Sequence, residues 1–185
     1  MGLQELVMGR KKAENGFVIR EAREEDLPVM VGFLVKLALH VSGEEPLDLR
    51  ESERKRLLKA LGSSLKDQDK HLVVAESTDA GLVGMGYVYV WRSQGIWART
   101  EPVEFRSGMI DDVWVEPEFR KRGIFKALLR DLVAFAESHN VSELILEYSA
   151  SNEEARAAWT KLGFRPTGIR AAAFTSTVKQ SLAKR

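Results

Sequence analysis

The sequence predicts a mixed α/β domain, one largely antiparallel sheet with helices on both faces. Three observations predict it. Apolar runs rich in β-branched and aromatic residues are interspersed with apolar residues at helical spacing along most of the chain. The helical segments are amphipathic, so each needs a partner layer to cover its apolar stripe. The 185 residues, 44% hydrophobic and 30% charged, are enough for one core and show no internal repeat.

Residues 1–15 are polar and read as an extension before a single domain spanning 16–185. Phe17 to Arg20 opens the first strand. Leu27, Met30, Val31, Leu34, Val35, Ala38 and Leu39 follow helical spacing from Glu24 to about His40, with Pro28 tolerated in the first turn. After a loop holding Glu44 and Glu45, Ser52 to Leu65 reads as a second helix with Leu57, Leu58, Leu61 and Leu65 on its apolar side. His71 to Ala75 and Leu82 to Trp91 read as a hairpin joined by a turn at 78–81, and Met109 to Val115 as a further strand. Gly123 to about Ser138 is a strongly patterned helix. Val141 to Ser149 reads as a strand, Ser151 and Glu154 have capping-box spacing before a short helix ended by Gly163, and Phe164 to Phe174 reads as a final strand or pair of strands.

Charge is nearly balanced, 28 basic against 27 acidic side chains, so no global field points to nucleic acid or an anionic membrane. With no cysteine and only three histidines, a disulfide, a thiolate nucleophile or a metal site is not expected, and a reducing cytoplasm is. The first residues lack a long apolar core, and Leu6 stands where an N-myristoylation signal carries Ser or Thr. No uninterrupted run of about 18 apolar residues is present, so membrane insertion is not expected.

The most informative stretch runs from Asp112 to Leu129: a strand, a basic turn with one glycine, and a helix start. The first turn of a helix offers unpaired backbone N–H groups and the positive end of the dipole, which suits phosphate. Gly123 lets the backbone approach a ligand closely, and Arg120, Lys121, Arg122 and Lys126 add local positive charge. The same residues also fit a solvated basic turn that merely starts a helix.

Arg120, Gly123 and Phe125 resemble the signature of the GNAT acetyltransferase family, Arg or Gln, two residues, Gly, one residue, then Gly or Ala, departing at Phe125. Val115, Pro117 and Arg120 resemble the family's lead-in to that turn. A second stretch resembles its Asn-x-x-Ala-x-x-x-Tyr-x-x-Leu-Gly-Phe helix through Asn152, Ala155, Leu162, Gly163 and Phe164, with Trp159 at the tyrosine position. The resemblance implies the GNAT fold and transfer of an acetyl group from acetyl-CoA to a primary amine by direct attack. It places the CoA pyrophosphate on the turn of Arg120, Lys121, Arg122, Gly123, Ile124, Phe125 and Lys126. It also places the pantetheine arm along Val113, Trp114 and Val115, with Asn152 and Trp159 beside it. A homodimer is likewise only an implication of resemblance.

Two departures open an alternative, an acyl-CoA-binding sensor or interaction domain without turnover. Phe125 replaces the usual small residue, although backbone donation survives this. Trp159 replaces a tyrosine that protonates the leaving thiolate in many relatives, and an indole N–H is far too weak an acid for that. Tyr148 is the nearest alternative acid. Asp111 and Asp112 lie on a strand expected to be buried, where adjacent like charges raise one pKa, so one of them reads as base or water relay. The resemblance selects Asp111 as base and leaves Asp112 to bind the amine; a salt-bridged pair at a strand edge is the other reading. Glu44, Glu45, Asp48, Glu51 and Glu53 form an acidic run that either attracts a cationic amine or is a solvated face, and Trp91, Trp97 and Phe105 form either a wall of the acceptor site or a subunit contact.

Overall fold

The computed structural model describes residues 16–43, 48–92, 106–168 and 171–183. Residues through Glu147 form one compact unit and residues from Tyr148 onward another. The first unit contains β1 (Phe17–Glu21), α1 (Leu27–Ser42), α2 (Glu51–Ser64), β2 (Lys70–Ser77), β3 (Gly81–Arg92), β4 (Arg106–Val115), α3 (Ile124–Ser138) and β5 (Glu143–Leu146). The sheet order follows the chain, β1-β2-β3-β4-β5. The first four strands pair antiparallel and β5 pairs parallel to β4. A parallel neighbour needs a crossover, and α3 supplies it.

Side-chain alternation assigns the two faces. Leu72, Val74, Met85, Tyr87 and Trp114 point toward α1 and α2, where they meet Met30, Val31, Phe33 and Leu61. Val73 and Gly86 point the other way, toward α3. A Cβ on Gly86 would lie 3.2 Å from both Leu132 and Val73, so glycine there lets the helix approach closely. α3 is correspondingly the most amphipathic segment, burying Ile124, Leu128, Leu129, Leu132 and Ala136.

The start of α1 is pinned by charge. Asp26 is 4% exposed and accepts two hydrogen bonds from the Arg20 guanidinium, at 2.7 and 2.9 Å, and a third from the Arg23 backbone N–H at 2.7 Å. Arg20 also donates to Glu76 at 2.6 Å, so β1, β2 and the entry to α1 share one ion-pair network. These bonds hold the Asp26 carboxyl below its usual range.

The second unit contains α4 (Glu153–Lys161) and α5 (Thr175–Ala183). Three expectations are corrected here. The strand expected from Val141 to Ser149 is only Glu143–Leu146, which leaves Tyr148 beyond the strand. No strand forms in 164–168 or 171–174. Pro166 and Gly168 interrupt that segment and the alanines at 171–173 lack β-branched bulk, so it has little to hold in a ladder. The cap of α4 is Asn152 rather than Ser151: its Oδ1 accepts the Ala155 N–H at 2.9 Å.

No helix among the described residues is long and apolar enough to cross a membrane. Glu51 and Glu53 open α2 and lie within ion-pair distance of its own Arg54, Lys55 and Arg56. They therefore form a solvated helix face with matched counterions. Glu44, Glu45, Trp97 and Phe105 lie outside the described residues, and Trp91 is exposed near the end of β3.

Candidate active site

The site begins with a register break. Tyr87 of β3 pairs with Asp112 of β4, but the next residue, Val88, pairs with Ile110, so Asp111 is an extra residue on β4. On the other side, the β4–β5 ladder ends at Ile110 and Leu146. Among the described residues, 112–115 of β4 therefore pair with β3 alone, which leaves their other backbone edge open past the end of β5. An open stretch of strand edge suits an extended ligand with amide groups of its own.

The bulge brings two acids to one face. Asp112 shares the face of Tyr87 and Trp114, and Asp111, one residue beyond the last pair with β5, shares that of Tyr89, Met109 and Ile145. Both faces are the α1–α2 side. The expectation of a buried acidic pair is corrected in part: Asp112 is half-buried and Asp111 exposed. Partial burial, with the Asp111 carboxylate beside it, pushes the Asp112 carboxyl up to about 6. Burial and then Glu147 raise Asp111 as well. Neither aspartate has an ion pair or hydrogen bond among the described residues. Burial, with Asp111 a lesser cause, also raises the phenols of Tyr87 and Tyr89, whose rings lie 5.8 Å apart.

Trp114 joins this face to the basic turn. His40 of α1 meets its indole edge-on at 6.0 Å, and the Arg120 guanidinium lies over the ring at 5.2 Å. Its indole N–H donates to Glu116 at 3.4 Å, and Glu116 pairs with Lys36 of α1. Arg120 Nε also donates to the Val115 carbonyl at 3.2 Å, bracing the turn against the strand that leads into it. Val113 and Val115 alternate to the α3 face.

The turn itself is left-handed twice, at Lys121 (φ 62°) and Gly123 (φ 87°). Gly123 is the N-cap of α3 and, having no side chain, cannot cap it. The first intrahelical bond is Ala127 N–H to the Gly123 carbonyl, so among the described residues the N–H groups of Ile124 and Lys126 have no backbone acceptor and suit an anion. Ile124 is buried in the core and Phe125 half-buried, and Lys121 and Lys126 are exposed. Arg122 lies over Phe119 at 4.8 Å and, with Phe17 and Asp79, lines a shallow pocket beside β1.

In the second unit, Asn152 spends its carbonyl oxygen on the α4 cap, Trp159 contacts Phe164 edge-on at 5.4 Å, and Tyr148 is half-buried. Sequence reasoning missed Tyr87, Tyr89, Ser64 and Glu147. The signal for Tyr87 and Glu147 was the strand register, which a one-residue bulge hides.

The acetyltransferase (GNAT) family model matches residues 36–164, and the chain belongs to that family. Acetyl-CoA is the family's acetyl donor. The chain is 28% identical over 119 residues to streptothricin acetyltransferase of Streptomyces lavendulae, covering 64% of this chain and 57% of that protein. It is 29% identical over 143 residues to N-alpha-acetyltransferase RimI of Mycobacterium tuberculosis, covering 77% and 82%. The fold matches a predicted acetyltransferase from Clostridium acetobutylicum, whose crystal structure is described with acetyl-CoA, at TM-score 0.68 and 22% identity over 87% and 97% of the two chains. The chain thus spans little more than half the length of the streptothricin enzyme.

Proposed function

We propose that this chain is an N-acetyltransferase that moves the acetyl group of acetyl-CoA to a cationic primary amine, with Asp112 as the base. One observation carries the reading: a half-buried carboxyl without a partner among the described residues, raised toward neutrality, stands where β4 loses its pairing with β5. Acetyl-CoA supplies the acetyl thioester, whose carbonyl carbon bonds to the amine nitrogen as the C–S bond breaks and the thiol leaves. The open β4 edge at Val113, Trp114 and Val115 fits the amide-bearing arm of that molecule. The uncapped turn of Arg120, Lys121, Arg122, Gly123, Ile124, Phe125 and Lys126 fits its pyrophosphate. Asp112 removes a proton from the ammonium so that a lone pair is free to attack, and Asp111 holds the cation beside it. Asn152 and Trp159 keep the place beside the pantetheine arm that the family resemblance implies, and Tyr148, the nearest alternative in sequence to the replaced tyrosine, is the candidate acid. The absence of cysteine supports a reducing, cytoplasmic setting, and a homodimer is the assembly inferred from resemblance.

The test pairs thermal stability with and without millimolar acetyl-CoA with release of free thiol over a panel of streptothricin, tobramycin, spermidine and a peptide bearing a free N-terminal alanine. A raised Tm with thiol release on one of these amines supports the transferase. A raised Tm with no turnover supports a CoA-binding module, and an unchanged Tm overturns both.

A further inference from the structure

The acceptor face contains one hydroxyl whose polarity can be worked out from its neighbours. Ser64 Oγ lies 3.1 Å from the Ala60 carbonyl oxygen and 3.3 Å from the Tyr87 hydroxyl. A carbonyl only accepts, so the single Ser64 proton is committed to Ala60. Tyr87 must therefore be the donor to Ser64. Both residues are buried, at 6% and 9% exposure, so bulk water does not compete for these bonds. The Tyr87 oxygen is left with nothing to give on its other side; it can only accept.

This matters because Tyr87 stands directly opposite Asp112 in the β3–β4 register, beside the bulged Asp111. A tyrosine across from an aspartate would ordinarily donate to it and hold it ionised. Here no Tyr87–Asp112 hydrogen bond forms among the described residues, and the phenolic proton is committed to Ser64 of α2. The carboxyl keeps its capacity to take up a proton, and the row across the strands presents acceptors only. A primary amine is the complement of such a row: it retains N–H donors even after losing the proton that frees its lone pair.

We propose that Tyr87 is a positioning residue for the acceptor nitrogen, its phenolic oxygen receiving a substrate N–H while Ser64 fixes the direction of the phenol's own proton. The inference rests on the acetyltransferase reading above. Tyr87 then sets the angle at which the nitrogen lone pair meets the thioester, and Asp112 handles the proton.

The test measures KM for the amine that the wild-type chain turns over, and separately for acetyl-CoA, in Tyr87→Phe, Ser64→Ala and the double variant. Tyr87→Phe raises the amine KM about tenfold and leaves that for acetyl-CoA within about twofold. Ser64→Ala frees the phenol's proton to turn toward the acceptor side, raising the amine KM by a smaller factor, and the double variant matches Tyr87→Phe alone because the two act through one bond. A change of less than about twofold in amine KM, or an equal change in both KM values, assigns Tyr87 to packing and overturns the inference. Wild-type chain that neither shifts its Tm with acetyl-CoA nor turns over any amine marks instead the failure of the acetyltransferase reading, and this inference falls with it.

Discussion

Asp26, at the entry to α1, and Asp112, on β4, are the same side chain given opposite treatment within one compact unit. Asp26 is nearly fully buried, yet the Arg20 guanidinium and the Arg23 backbone N–H supply three donors, and its pKa falls. Asp112 is less buried and meets no donor among the described residues, and its pKa rises to about 6. Burial penalises the charged form in both, so the presence of partners decides the sign. The first arrangement stabilises the fold; the second keeps a proton acceptor near neutrality at a cost to the fold. A carboxyl kept in that state is expected of a site rather than of a scaffold.

The largest effect that would sharpen this contrast is on turnover. Asp112→Asn keeps the size of the side chain but removes the base, and kcat/KM falls about a thousandfold on the acceptor identified by the panel. In the unaltered chain the rate rises with pH through a limb near 6, where the Asp112 carboxyl loses its proton, and the variant loses that limb. A limb that survives in Asp112→Asn moves the role of base to Asp111.

Asp26→Asn tests the other half. It leaves the Arg20 guanidinium with Glu76 as its carboxylate partner and the Glu21 carbonyl, and urea unfolding registers a loss of about 3 kcal/mol. The pH dependence has a definite sign. The folded-state pKa of Asp26 is depressed, so its contribution is present above the ordinary carboxylate range and is lost as pH falls through the acid region. Denaturation midpoints between neutral and acid pH read this directly.

The stability of Asp112→Asn at neutral pH runs the other way. The native carboxyl holds its proton more tightly than the unfolded chain does, so wild-type stability declines as pH rises toward and through about 6. Removing the charge raises stability at pH 7 by about 2 kcal/mol, and calorimetry at pH 3.5 and 7 shows the gain at the higher pH and little of it at the lower. A variant that is both inactive and more stable would set Asp112 apart from Asp26 in one experiment. The smallest effect concerns α4. Asn152→Ala removes the cap bond to Ala155 and costs about 1 kcal/mol, and an unchanged KM for acetyl-CoA would confine Asn152 to capping.

The alternation of strand and helix patterns, the strongly periodic α3 and the glycine turn before it were legible because each is written in local spacing. The same is true of Asp111 and Asp112 as candidates. What the sequence did not disclose depends on register. Tyr87 lies 25 positions before Asp112 and becomes its neighbour only through antiparallel pairing, and the Ser64 bond that orients it comes from a separate helix. The tail was misread because Phe164 and Phe174 suggested a strand, whereas Pro166, Gly168 and three alanines between them leave too little to pair.

The extra residue at Asp111 acts on β4 as a frameshift acts on a message. Before it, odd-numbered Met109 shares a face with Tyr89; after it, even-numbered Asp112 and Trp114 occupy that same face. Deleting that residue would straighten the strand and leave Asp112 and Trp114 opposite Tyr87 and Met85, on the face they occupy now. The length of β4 at this point is therefore tied to the placing of a second carboxyl beside Asp112, not to the phase of the strand beyond it.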